Sequence, residues 1–184
     1  MPIAINITTT ANRRRRFTQT DSAAIQEVLE SFKRSGQMFS NRSLIIGSAQ
    51  VTEIFAPASI TRIEIETQLD LSAYLPQRGE TQFSLIPEGA ATPPASISET
   101  QISARADVFF EGGDTVAIWI AGPRPSGANE RLTNLTRLFE QAVLMYKLPA
   151  GGIGFMNPGA MTRVRLAAAI EKLPAGAWWL NVAD

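Results

Sequence analysis

The chain has 184 residues, is 45% hydrophobic, and sets 17 basic against 17 acidic side chains, with no histidine and no cysteine. Without those two residue types there is no zinc site of the usual kind, no Ser-His-Asp or Cys-His triad, no thiol redox chemistry and no disulfide. A neutral chain of this length suits one domain, 1–184, with a sizeable core and no overall field steering it to nucleic acid or membrane.

Ile3 to Thr9 alternates apolar and polar residues and predicts an opening strand. Arg13-Arg14-Arg15-Arg16 follows, with Phe17 behind it. Four arginines beside an aromatic could contact phosphates and stack on a base, but four contacts support only weak, salt-sensitive binding. The plainer reading is a solvated turn that meets acidic groups of a partner. The run follows the apolar start instead of preceding it, and Thr18-Gln19-Thr20-Asp21 is polar. Neither a secretory nor a twin-arginine signal is expected, and the reading is a cytoplasmic protein of bacterial type.

Thr20 or Asp21 can cap a helix in which Ile25, Val28, Leu29 and Phe32 recur at helical spacing, with Gly36 at its end. Strands are predicted at Leu44-Ile45-Ile46, Val51 to Phe55 and Ile60 to Thr67. In the third, Arg62, Glu64 and Glu66 face away from Ile63 and Ile65. Two carboxylates some 6–7 Å apart on one strand match the separation of a glycosidase pair. The adjacent arginine points instead to an ordinary exposed charged stripe.

Gly79 to Pro87 holds a further candidate strand, and Gly89 to Ser98 is a loop. Ile102 to Phe110 alternates, and Gly112-Gly113-Asp114 turns it into Thr115 to Ala121, which makes a hairpin. Beyond it, Lys147-Leu148-Pro149-Ala150-Gly151 recurs as Lys172-Leu173-Pro174-Ala175-Gly176. Each copy reads as the end of a helix, about 129–146 and 160–171, followed by strands at 153–156 and 178–182. Gly151-Gly152-Ile153-Gly154 leads into a strand and not into a helix, the reverse of a dinucleotide fingerprint. Trp178 and Trp179 are placed on opposite faces of the last strand, one inward and one able to bury at an interface.

These elements predict an α+β or mixed α/β fold with about three helices. Its mixed sheet has an antiparallel half, 1–98, and a half, 99–184, made of the hairpin and a βαβαβ run. Two βα loops, 122–129 and 157–163, then become candidate anion sites. They carry Arg124, Ser126, Gly127 and Asn129, and Asn157, Thr162 and Arg163. The competing reading is that Asn129 and Thr162 only cap helices while the Pro and Gly residues turn the chain, since no phosphate-loop spacing is present.

No cofactor and no metal is expected, because any cation would need oxygen ligands and the five Asp residues are scattered. The apolar runs are too short to span a membrane. The balance of features favours a non-catalytic structural or protein-interaction subunit forming a homo-oligomer, a dimer first of all. The alternatives are an anion-binding module or enzyme using the two loops, and a weak nucleic-acid binder through Arg13 to Arg16 and Phe17.

Overall fold

The computed structural model describes residues 1–40, 42–48, 50–76, 80–98, 100–123, 137–167, 176–178 and 180–181. Strand β1 (Ile3–Thr9) forms where alternation predicts it, and β2 (Arg14–Gln19) returns beside it with Ile5 opposite Phe17 and Asn6 opposite Arg16. The arginine run is therefore an edge strand, not a solvated turn. Helix α1 (Ser22–Ser31) follows, and its first turn is closed by Asp21, whose Oδ1 accepts the Ala24 N–H at 2.9 Å. Gly36 lies inside a 3₁₀ extension, Phe32–Gln37, instead of forming a left-handed cap.

Strands β3 (Leu44–Gly47) and β4 (Thr52–Phe55) make a separate two-stranded ribbon. Next come β5 (Ile60–Glu66), β6 (Gln82–Leu85) and the two-residue β7 (Ser96–Ile97). The long hairpin of β8 (Gln101–Phe110) and β9 (Thr115–Pro123) matches its sequence pattern, with Val108 opposite Val116.

The carboxyl-terminal half overturns the α/β expectation. Where the sequence predicts helices near 129–146 and 160–171, the described residues form β10 (Leu144–Lys147) and β12 (Met161–Leu166), while β11 (Gly152–Met156) forms where a strand is predicted. Short 3₁₀ turns occupy Arg137–Glu140 and Pro158–Ala160, and α1 is the one α-helix among the described residues. The fold is mostly β, and neither the three helices nor the βαβαβ half exists as predicted. The reason is period. Leu144 and Tyr146 are buried while Lys147 is exposed, and Val164 and Leu166 turn inward between exposed Arg163 and Arg165, so a two-residue repeat prevails over the helical spacing.

The first Lys-Leu-Pro-Ala-Gly copy closes the β10–β11 hairpin, where the Leu148 carbonyl accepts the Gly151 N–H at 3.3 Å. The second copy lies outside the described residues except Gly176, whose φ of +86° resembles the +99° of Gly151. Trp178, Leu180 and Asn181 belong to no strand, and Trp178 is exposed; Trp179 lies outside the described residues.

One ten-stranded sheet results, in the order β12-β8-β9-β6-β10-β11-β5-β1-β2 with β7 beside β8. Among the described residues its one parallel pairing sets Lys147 of β10 beside Ser84 of β6. Side-chain alternation gives the sheet two faces. On the first face, Ile3 and Ile7 of β1, Ile63 and Ile65 of β5, and Ile153 and Phe155 of β11 pack with Ile25, Leu29 and Phe32 of the helical segment. On the second face, Ala104, Ala106 and Val108 of β8, Ile118 and Ile120 of β9, and Leu144 and Tyr146 of β10 form another core.

The sheet curls toward this second face, because Arg62 of β5 meets Asp114 at the β8–β9 turn although three strands separate β9 from β5. Gly112 permits that approach: its φ is +76°, and a Cβ there would stand 1.5 Å from the Thr10 carbonyl oxygen.

Candidate functional site

The densest group of chemically capable side chains lies on the second face at the β5–β1–β2 end. Strand register builds it as a row. Tyr146 of β10 stands opposite Gly154 of β11, Gly154 opposite Glu64 of β5, Glu64 opposite Asn6 of β1, and Asn6 opposite Arg16 of β2. Gly154 makes the row continuous, since a Cβ there would lie 2.1 Å from the Tyr146 ring. With that space open, the ring lies across β11 and the Tyr146 hydroxyl donates to Glu64 Oε1 at 2.9 Å.

A second row sets Met156, Arg62, Thr8 and Arg14 side by side. The Arg62 guanidinium donates to Glu64 Oε1 at 2.5 Å and to both oxygens of Asp114, at 2.8 and 3.2 Å. Arg14 reaches Glu64 Oε2 at 3.4 Å. Arg16 pairs with Glu66 at 2.9 Å and donates to Asn6, which in turn donates to Glu66 at 2.7 Å. Arg15 points to the other face and pairs with Glu53 of β4, while Phe17 makes an edge contact with Phe55.

Glu64 is only 4% exposed, so the exposed stripe expected from sequence holds a buried charge at Glu64, while Glu66 stays partly exposed. Three cations, Arg14, Arg16 and Arg62, meet three anions, Glu64, Glu66 and Asp114. Buried ions persist when each is paired and hydrogen-bonded, and here they are. Burial, then the neighbouring Glu64 charge, raises the Tyr146 hydroxyl well above the usual phenol range. Burial opposes the Arg62 cation, but its bond to Asp114 and the charges around it prevail and hold it protonated.

Chemically, this arrangement is a lock. Glu64 accepts from Tyr146, Arg62 and Arg14 at once, so its oxygens are engaged within the protein, and Tyr146 is held as a neutral donor. Among the described residues no group of three or more carboxylates is placed to hold a metal ion.

Of the residues singled out for anion binding, Asn157, Thr162 and Arg163 fall among the described residues. Arg124, Ser126, Gly127 and Asn129 lie outside the described residues. Asn157 is buried, donating to the Ile60 carbonyl at 2.8 Å and accepting the Gly159 N–H at 3.0 Å, so it pins the β11–β12 turn to β5. Thr162 caps no helix and donates to the Phe109 carbonyl at 3.1 Å. Arg163 stacks on Phe109 on the first face, its guanidinium carbon 4.0 Å from the ring centre.

Sequence reasoning missed the Tyr146–Glu64 bond, Arg62–Asp114 and the role of Gly154. The alternation of Arg62, Glu64 and Glu66 was the visible signal, but it could not show that the sheet curls over them. No known protein family, no curated protein and no solved structure matches the chain. No described helix is long and apolar enough to cross a membrane.

Proposed function

We propose that this chain is a non-catalytic protein-interaction subunit, and that it pairs with a second copy of itself through the β3–β4 ribbon. One observation carries this reading. Ile45 and Ile54 face each other across the ribbon and are 62% and 67% exposed, with Val51 beside them at 57%. The ribbon's other face is used, since Leu44, Ile46 and Phe55 pack on the α1 core.

A two-stranded ribbon has two unpaired backbone edges and is marginal by itself. Contact with an identical ribbon about a two-fold axis would bury the isoleucines against each other and give an edge a partner. The absence of histidine and cysteine, and the mutual engagement of the buried charges, support the non-catalytic part.

Light scattering across micromolar concentrations tests the reading. The wild type should be a dimer. Ile45→Thr combined with Ile54→Lys should give a monomer that melts within a few degrees of the dissociated wild type, because neither side chain is in a core. A wild-type monomer at every concentration overturns the proposal, and so does a dimer indifferent to both substitutions.

A further inference from the structure

On the first face, the helix covers the β11–β5–β1 region, and among the described residues no helix packs on the far end of the sheet. There β8 presents Arg105, Asp107 and Phe109, β9 presents Ala117 and Trp119, and β12 presents Arg163 and Arg165. The register sets Trp119 opposite Arg105, Asp107 between Ala117 and Arg165, and Phe109 between Thr115 and Arg163.

Asp107 is the one acid these three strands present on this face, and Arg105 holds it at 2.8 Å. Arg163 and Arg165 are exposed and make no salt bridge among the described residues. The chain's zero net charge is thus an average, and this face is locally positive. Its aromatics are half-buried flat surfaces, and Arg163 already adopts the stacked geometry over Phe109.

We propose that this face binds single-stranded nucleic acid, with Trp119 stacking on a base while Arg163, held over Phe109, and Arg165 contact phosphates. Three features favour that occupant. The uncompensated charge complements a phosphate backbone. Trp119 stands opposite Arg105, four residues and about 13 Å along the strand direction from Phe109, so the aromatics and arginines are strung out in a line, as an extended chain requires. Every base offers a π-face to an aromatic side chain, so stacking needs no particular sequence. A duplex hides its bases, and an acidic polypeptide has none. The arginine run of β2, the segment that suggested nucleic acid from sequence, is meanwhile committed to Glu64, Glu66 and Glu53.

The test uses the full chain and a fluorescein-labelled mixed-sequence 20-nucleotide single strand, read by anisotropy at 50 and 200 mM salt. Binding should weaken about tenfold between the two salts, as a few phosphate contacts require. Arg163→Ala with Arg165→Ala should lower affinity about tenfold and flatten the salt dependence. Trp119→Ala should lower it about tenfold, and Trp119→Phe should restore most of that loss.

Circular dichroism and melting of each variant confirm the fold. Because Arg163 and Arg165 are exposed, the double variant keeps the proposal testable even if Trp119→Ala unfolds. No binding at 50 mM salt overturns it. Duplex binding as tight as single-strand binding, or polyglutamate binding that competes equally and ignores Trp119, also overturns it.

Discussion

At its β5–β1–β2 end the sheet packs isoleucines of the first face against α1 and carries ion pairs on the second. At its β8–β9–β12 end the sides are exchanged: valine, isoleucine and alanine fill the second face, while arginine and aromatic side chains occupy the first. One sheet therefore changes the face it buries about midway, near β10 and β11. Tyr146 stands at the change, its ring in the apolar core and its hydroxyl on Glu64. The curl that closes the second core also covers the charges beside it, so a sequence pattern that signals exposure yields buried ions. Charged residues at one end thus brace the fold, and those at the other stay available to a partner.

The sharpest way to break this comparison is to remove one carboxylate at each end. Glu64→Ala should cost about 3–5 kcal/mol, because Arg62 keeps a buried charge with one partner fewer and Tyr146 loses its acceptor. Asp107→Ala should stay within about 0.5–1 kcal/mol, since its partner Arg105 is partly exposed and can turn to water. Chemical denaturation of the two variants measures both. Equal losses would mean that the two ends do not differ in the way described.

Tyr146 offers a finer measurement at the change of face. Tyr146→Phe should cost about 1–2 kcal/mol near neutral pH, by leaving Glu64 one donor short. Alkali should then reverse the ranking. An unfolded tyrosine titrates near 10, whereas burial and then Glu64 hold Tyr146 protonated well above that. The folded state therefore keeps this contribution below about pH 10 and loses it as pH rises toward the folded value, by up to about 1.4 kcal/mol per pH unit. Denaturation at pH 8, 10 and 11 should show wild type falling more steeply than Tyr146→Phe. Parallel decline would remove Tyr146 from the account.

The sequence carried much of the first half and little of the second for the same physical reason. β1, α1 and the β8–β9 hairpin are long periodic segments with local caps or turns, so Asp21 and Gly112-Gly113 mark them without tertiary help. β10 and β12 are strands of four and six residues beside 3₁₀ turns, short enough that Phe139, Val143 and Tyr146 imitate a helical face. Lys-Leu-Pro-Ala-Gly stops a helix or turns a hairpin equally well, and only pairing decides. The charged rows were visible as alternation, but their burial comes from Asp114, 50 residues beyond Glu64 and at the tip of another hairpin. Of the residues proposed for anion binding, Asn157 proved to be internal bracing and Arg163 a partner of Phe109.

The smallest expected effect tests how completely the buried rows are matched. Thr8 stands between Arg62 and Arg14 and is 3% exposed, yet its hydroxyl has no hydrogen-bond partner. Its neighbours in that row are guanidinium groups already turned to Glu64 and Asp114. A buried hydroxyl without a partner costs stability, and valine has nearly the same shape without it. Valine also suits an extended strand at this position. Thr8→Val should therefore raise stability by about 0.5–1 kcal/mol, a gain that disappears in a Glu64→Ala background where Arg62 is free to turn toward residue 8. A loss of stability in the otherwise native chain would mean that the hydroxyl is satisfied after all, and that the charged rows are more tightly knit around Thr8 than their geometry implies.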